Sequence, residues 1–198
     1  MAVLEAHDNT TGKLYTLVST DKALHVVGIA GTASLGTVGI DQSAGNPSAT
    51  ITRPADTNAY AAGDGISTSG GANLTFATGL VAGSKFAIYS ASIRSTDAAV
   101  IGGATTYLLH LFNAVPTAIA DNAAHAVVTA DAAKYLGYIT LLVMEDAGDF
   151  ITKRTDGINA VMSLASGATS IYGQLETVGG FTPASGTVYT IELALGAL

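Results

Sequence analysis

The stretch "TVYTIELAL", residues 187–195, alternates large apolar side chains with smaller or polar ones along its whole length. The side chains that would face one side of a strand are Tyr189, Ile191, Leu193 and Leu195. A period of two is that of a half-buried β-strand, whose successive side chains point to opposite faces. Because apolar residues recur with this period more often than with a helical one, the sequence predicts an all-β protein.

Further strand candidates follow the same pattern, and turn-forming segments rich in Gly, Asp or Asn separate them. They are "KFAIYSASIR" (85–94), "TTYLLHLF" (105–112), "YITLLVM" (138–144), "AVMSL" (160–164) and "SIYGQLETV" (170–178). Short strands at fairly regular spacing favour an antiparallel β-sandwich or jelly roll. At most one short helix is expected, over "TADAAKYLG" (129–137), with Asp131 as its N-cap and Gly137 at its end.

The first 46 residues differ from the rest of the chain. Two apolar stretches around "STDKA" indicate a small hairpin, and a tract poor in charge and in bulky residues follows it. We therefore predict an N-terminal arm over residues 1–46, which packs on something else, and a compact β-domain over residues 47–198.

Composition limits the possible functions. Charged residues make up 12% of the chain, against about 25% in an ordinary soluble domain. Surface buried against partner chains, as in a homo-oligomer, is therefore expected. The net charge of −7 and the lack of basic clusters argue against nucleic acid as a partner. The chain has no cysteine, which excludes disulfides and thiol nucleophiles, and no targeting or membrane-spanning segment is expected.

The stretch "ITRPADTNAYAAGD", residues 51–64, raises the question of whether it is a binding site or a corner of the fold. Pro54 donates no hydrogen bond and restricts Arg53, so a strand should end or bend here. Tyr60 would anchor the following turn by its ring and leave its hydroxyl to find a partner.

The acidic residues of this stretch allow two interpretations. Asp56 or Asn58 could bond nearby backbone amides, as in ordinary turns. Asp56 and Asp64 together could instead bind a cation such as Ca²⁺. Because their spacing matches no calcium loop, the structural corner is favoured.

The histidines, His7, His25, His110 and His125, are scattered and show no zinc-binding spacing, so no metal or cofactor is expected. His110 alternates with leucines, which predicts a packed side chain or one that faces an interface.

Catalytic patterns are weak. The carboxylates of Glu145, Asp146 and Asp149 could serve glycoside hydrolysis, but "EDAGD" also has ordinary turn chemistry, which is favoured. The glycine-rich stretches "GDGISTSGG" and "GIAGTASLG" lack the features of a phosphate loop and are predicted to be flexible connections. The sequence therefore predicts a protein that is not an enzyme.

Three segments carry a resemblance to a known group of proteins. They match the patterns R-P-A-D-T-x-x-Y-A-A-G-D at 53–64, L-x-L-F-x-A-x-P-T-x-x-x-D-N at 109–122, and D-x-x-x-Y-L-G at 131–137. In these segments the chain resembles structural proteins of the tailed-bacteriophage virion, and capsid decoration (cement) proteins in particular. The resemblance covers roughly residues 47–198.

The resemblance implies a non-enzymatic protein on the capsid surface, made in the cytoplasm of the bacterial host. It would bind between subunits of the major capsid protein, as a homo-oligomer for which a trimer is favoured, with no membrane or nucleic acid involved. The arm would lie across a neighbouring subunit, and its expected anchoring residues are Leu14, Tyr15, Leu17, Val18, Leu24 and Val26. The alternative is a component of the tail, baseplate or fibre that binds other virion proteins or host-surface glycans. Exposed aromatic residues beside acidic residues in one cleft would favour the glycan-binding version.

Overall fold

The computed structural model describes residues 4–7, 14–17, 45–102, 106–142 and 144–198. The chain divides into two compact units, Met1–Ile40 and Asp41–Leu198. In the first unit, strands β1 (Leu4–His7) and β2 (Leu14–Leu17) pair antiparallel, with Leu4 opposite Leu17. The predicted arm residues Leu14, Tyr15 and Leu17 belong to β2. The predicted arm residues Val18, Leu24 and Val26 lie outside the described residues. So does the second apolar stretch of the predicted hairpin, which follows "STDKA".

The second unit consists of antiparallel strands in two sheets. The first sheet has the order β3-β12-β6-β10-β9, and the second has the order β4-β11-β7-β8, with β5 also pairing with β11. The strands are β3 (Ser48–Thr52), β4 (Gly65–Ile66), β5 (Leu74–Ala77), β6 (Lys85–Ser95), β7 (Tyr107–Phe112), β8 (Tyr135–Leu141), β9 (Glu145–Asp146), β10 (Ile151–Ser163), β11 (Ser170–Thr177) and β12 (Val188–Ala197). The predicted all-β fold with antiparallel sheets in a sandwich is confirmed, and its finer jelly-roll form stays a prediction.

Among the described residues, a hydrophobic core receives side chains from both sheets. The alternation predicted for residues 187–195 is confirmed, since every second side chain of β12 from Tyr189 to Leu195 is buried. The largest fully buried side chains are those of Tyr107, Tyr189, Phe76, Phe86, Phe112, Ile66, Leu74, Ile88, Ile93, Leu109, Leu111 and Leu141. Burial of apolar surface on this scale is the main force that holds the two sheets together.

Strand β10 is longer than the sequence predicted, because it begins at Ile151 and only its end was expected to be a strand. Its middle part is polar, with Arg154 and Asp156 exposed to solvent. The pairing register with β6 shifts between Asp156 and Ala160, where Gly157 and Asn159 adopt positive φ angles of 74° and 49°. This β-bulge interrupts the period of two by which the strand could have been found.

The predicted helix over residues 129–137 is wrong. A single 3₁₀ turn, Thr129–Asp131, is present, and Tyr135 already begins β8. The Asp131 carboxylate accepts a hydrogen bond from the backbone N–H of Thr117, 2.7 Å away, instead of capping a helix of its own. Gly137 lies within β8 at a φ of 108°. Among the described residues, no helix is long and apolar enough to span a membrane.

The glycine-rich stretch 63–71, predicted to be a flexible connection, contains β4. It is held in place by backbone hydrogen bonds from Gly65 to Ala123 and from Asp121 to Thr68. Hydrogen bonds to the backbone of Asp121 and Ala123 thus hold this stretch in place, which its local sequence does not indicate.

Gly173 lies at a close approach in the core. A Cβ atom at this position would lie 3.0 Å from both Leu109 Cδ1 and Phe76 Cε2. We expect Gly173→Ala to lower the free energy of unfolding by about 1–3 kcal/mol, because the extra methyl group overpacks the core. The measurement is urea-induced unfolding followed by circular dichroism.

Gly70→Ala is the matched control, since a Cβ there would meet nothing within 4 Å. It should change stability by less than about 0.5 kcal/mol. Equal unfolding midpoints for the two variants would show that the core around Gly173 can accommodate an extra methyl group.

Candidate functional site

The corner at residues 51–64 is built around a buried arginine. Strand β3 ends at Thr52, and the next side chain, Arg53, is turned inward with no exposed surface. Its Nε donates a hydrogen bond to the Tyr60 hydroxyl, and one terminal nitrogen donates to the Ala184 carbonyl at 3.0 Å. The other terminal nitrogen contacts carboxylate oxygens of Asp121 at 3.2 Å and Asp56 at 3.3 Å. The guanidinium thus uses its fixed fork of donors to connect segments distant in sequence.

Tyr60 joins this corner to the core. Its ring packs against Phe181, with 5.0 Å between ring centroids, and the Arg53 guanidinium lies over it, 4.8 Å from the ring centroid. Its hydroxyl donates to Asp121 Oδ1 at 2.5 Å. Burial, together with the hydrogen bond to Asp121, raises the pKa of Tyr60, so the phenol keeps the proton that it donates.

Charge compensation explains why the arginine can be buried. Burial by itself lowers the pKa of Arg53, but the hydrogen bond to Tyr60 and the charge of Asp121 outweigh it, so the pKa is raised. Asp121 in turn accepts a further hydrogen bond from the backbone N–H of Ser67 at 3.0 Å. The charge of Arg53 is thus held by a hydrogen-bonded contact with Asp121.

The other acidic residues of the corner are satisfied by protein donors. Asp56 accepts from the backbone N–H of Asn58 at 3.2 Å, besides its contact with Arg53. Asp64 accepts from the backbone N–H of Ala61 at 2.6 Å. Pro54 follows Arg53 and accepts a backbone hydrogen bond from Gly186. Asp56 and Asp64 therefore take part in separate turn contacts, each with its own backbone donor.

A second polar cluster lies on the outer face of the second sheet, beneath residues 113–128, which we call the covering segment. His110 on β7 and Glu176 on β11 point away from the core. His125 of the covering segment stacks on His110, with 4.0 Å between ring centroids. Glu176 Oε2 lies 2.7 Å from His110 Nε2 and 3.3 Å from His125 Nδ1. These three ligand atoms lie within 4.8 Å of one another, a grouping that could hold a metal ion.

The side-chain amides of Gln174 and Asn73 determine which atom of Gln174 faces His125. Gln174 Nε2 donates to the Thr117 carbonyl at 2.7 Å and to Asn73 Oδ1 at 2.9 Å, while Asn73 Nδ2 donates to the Pro116 carbonyl at 3.0 Å. Because backbone carbonyls only accept hydrogen bonds, both amide orientations are determined. Gln174 Oε1 must therefore face His125 Nε2, which lies 3.2 Å away.

Both histidines are shifted toward their neutral form. Burial lowers the pKa of His110 to about 4. Burial, and then the neighbouring His110, lower the pKa of His125. Burial raises the pKa of Glu176, against the opposing effect of His125. At neutral pH the imidazoles are therefore available as ligands without competition from a proton.

The acidic turn after β8 has the chemistry of a surface loop. Glu145 pairs with Lys153, and Asp146 accepts from the backbone N–H of Gly148 at 2.7 Å. Asp149 and Phe150 line an open groove on the outer face of the first sheet, together with Arg94 and Thr190, with a volume of about 350 Å³. The Arg94 guanidinium lies 5.8 Å from the centroid of the Phe150 ring.

Comparison of the chain with protein-family models finds no match. Comparison with curated proteins finds no match either.

Sequence reasoning treated the histidines as scattered, and the structure shows that two of them stack. No fixed spacing could reveal this, because His110 and His125 are brought together by the path of the covering segment and not by one element. No local pattern marks Asp121 either, although it is the direct partner of Arg53. Its only signal was its place in the second of the three segments that carry the resemblance.

We expect Asp121→Asn to lower the free energy of unfolding by about 3–5 kcal/mol, because it leaves Arg53 buried without its closest compensating charge. Asp56→Asn is the matched control, since the Asp56 carboxylate is partly exposed and should contribute less than about 1 kcal/mol. Urea unfolding of both variants measures the difference. Similar losses in the two would mean that solvent reaches the guanidinium.

Stability should also depend on pH through His110. Its pKa is about 4 in the folded chain and 6.5 in the absence of the fold, so the unfolded state binds more protons between these values. In metal-free buffer, the free energy of unfolding should therefore fall by roughly 2–3 kcal/mol as pH is lowered from 7 to 4, with Glu176 offsetting part of the loss. The measurement is the urea midpoint as a function of pH.

His110→Gln should flatten this pH dependence more than the control His7→Gln, which removes a histidine from the other unit. An unaltered profile in His110→Gln would assign the effect to other titrating groups.

Proposed function

We propose that the chain is a non-enzymatic structural protein of a tailed-phage virion, which decorates and stabilises the capsid by binding between major capsid subunits. It would act on the capsid surface as a homo-oligomer, with a trimer favoured, after synthesis in the cytoplasm of the bacterial host. The proposal is supported by the contacts that the three segments of the resemblance make with one another in the folded chain.

The three segments of the resemblance interlock. Arg53 and Tyr60 of the first segment bind Asp121 of the second. Thr117 of the second segment binds Asp131 of the third, and Lys134 completes that contact with Asp131 at 2.7 Å. Their shared polar residues are therefore used to hold the covering segment on the sandwich. Polar residues used in this way hold an architecture together and do not surround a reaction centre, which supports a structural role.

The surface of the second sheet supports assembly. Strand β8 ends this sheet, so one side of its backbone is not paired within the sheet. Tyr138 on this strand is 58% exposed, and Leu142 just beyond it is 48% exposed. An edge with exposed apolar side chains is suited to receive a strand from a neighbouring chain, and we propose the N-terminal arm as that strand.

A tail or fibre component that binds host-surface glycans is the second candidate. It is favoured by the groove in which the exposed ring of Phe150 lies beside Asp149 and Arg94. Aromatic faces combined with charged and hydroxyl side chains can hold the apolar and polar sides of a sugar ring.

Cryo-electron microscopy of purified virions of the encoding phage tests the two candidates against each other. Ordered copies on the outer surface of the head support decoration. Density confined to the tail contradicts decoration and favours the glycan-binding candidate. Particles without this chain contradict both.

Deletion of residues 1–40 should abolish binding to heads and leave the second unit folded. The physical reason is that repeated contacts made by the arm supply the avidity, whereas the sandwich has its own core. Binding is measured by co-sedimentation with undecorated heads, and folding by circular dichroism.

The double substitution Leu14→Asp and Leu17→Asp in the full chain is the matched control, because it removes apolar arm residues and keeps the length of the arm. It should weaken binding without shortening the arm. Full occupancy of heads by the truncated chain would contradict the role of the arm.

A further inference from the structure

The hydrogen-bond network around His125 places its Nδ1, an acceptor in the tautomer that the network requires, opposite a carboxylate oxygen of Glu176. Gln174 Oε1 can only accept, so His125 Nε2 must carry the proton. In the neutral ring, Nδ1 then presents a lone pair to Glu176 Oε2 at 3.3 Å. A lone pair opposite a carboxylate oxygen is repulsive unless a cation lies between them.

We propose that His110, His125 and Glu176 form a binding site for a divalent metal ion of the Zn²⁺ class. This inference goes beyond the proposed function and does not depend on it. Two imidazole nitrogens and one carboxylate oxygen are a donor set that Zn²⁺ accepts, with a water molecule in the fourth position.

The distances around Glu176 suit such an ion. Ligand atoms about 2.0–2.1 Å from a tetrahedral ion are separated by about 3.3–3.4 Å. The His125 Nδ1 to Glu176 Oε2 distance of 3.3 Å meets this value already. The 2.7 Å distance from His110 Nε2 is that of a hydrogen bond, and it would lengthen by about 0.6 Å when the ion replaces the proton. The stacked rings would tilt toward each other by side-chain rotation.

The outer partners of both histidines suit metal binding. Gln174 Oε1 holds the proton of His125 on the nitrogen that faces away from the site. The Tyr135 hydroxyl lies 3.0 Å from His110 Nδ1 and can accept its proton once Nε2 binds the ion. Histidine ligands in metal sites are commonly oriented by such partners. The Glu176 side chain is 19% exposed, which leaves the site open to an ion from solvent.

A bound ion would link three parts of the second unit. His110 belongs to β7, Glu176 to β11 and His125 to the covering segment. The ion would therefore fasten the covering segment to the sheet at a second point, four residues beyond the contact that Asp121 makes with Arg53. Its effect on the protein would be to stabilise the fold.

The test uses the full chain without a histidine tag, freed of metal by chelation and studied at pH 7. Titration calorimetry with Zn²⁺ should give one bound ion per chain. Co²⁺ should give the visible absorption of a tetrahedral complex, which Zn²⁺ then removes. At free Zn²⁺ about 100-fold above Kd, the Tm should rise by about 5–10 °C.

Glu176→Gln is the most informative variant. Its amide group can donate to the His125 Nδ1 lone pair, so the metal-free variant should be at least as stable as the unaltered chain. It should nevertheless lose the Co²⁺ spectrum and at least about tenfold in Zn²⁺ affinity, because the anionic ligand is gone. The control variants His7→Gln and His25→Gln, which alter the two histidines that are not among the proposed ligands, should bind as the unaltered chain does.

Three results would overturn the proposal. The first is the absence of a saturable one-to-one site, and the second is an equal Tm rise with Zn²⁺ in the unaltered chain and in Glu176→Gln. The third is a proton on both nitrogens of His125 at pH 7, seen by nitrogen NMR in a chain with no Zn²⁺ affinity. That result would identify the cation opposite Glu176 as a proton.

Discussion

The buried contact of Arg53 with Tyr60 and Asp121 is the interaction on which the rest of the second unit depends. A buried guanidinium is tolerated only when its charge is compensated and its donors are satisfied, and here four other residues meet that requirement. Because Asp121 belongs to the covering segment, the compensation of one charge also fixes where that segment lies. The position of His125, four residues later, follows from this constraint.

The covering segment accounts for the unusual polarity of the second sheet. One face of this sheet contributes to the apolar core, and the other bears His110, Gln174 and Glu176. Side chains of this kind would ordinarily face water. They are instead sheltered by residues 113–128 and satisfied by one another and by backbone carbonyls, as with Gln174 and Thr117. The sandwich therefore has an apolar layer between its sheets and a polar layer outside one of them, and the polar layer contains the possible metal ligands His110, His125 and Glu176.

The proposed role in a virion and the proposed metal site rest on different observations. The first rests on the resemblance and on the interlocking of its three segments through Asp121 and Asp131. The second rests on the orientation of Gln174 and on the lone pair that it forces on His125. A fold that works by assembly has reason to fasten its surface segments firmly, because each repeated contact on a shell needs the same rigid partner. The two proposals are compatible, and either can fail alone.

The sequence by itself determined the fold class and most strands of the sandwich, because alternation such as that of Tyr189, Ile191 and Leu193 reports local burial directly. It also located the end of β3 before Arg53-Pro54, since proline acts on its immediate neighbours. Only the tertiary structure decided the polar sites. Asp121 meets Arg53, and His125 meets His110, through contacts between elements, and no spacing along the chain encodes such contacts. The bulge in β10 and the diversion of Asp131 from helix capping to Thr117 have the same cause: partners distant in sequence override local preference.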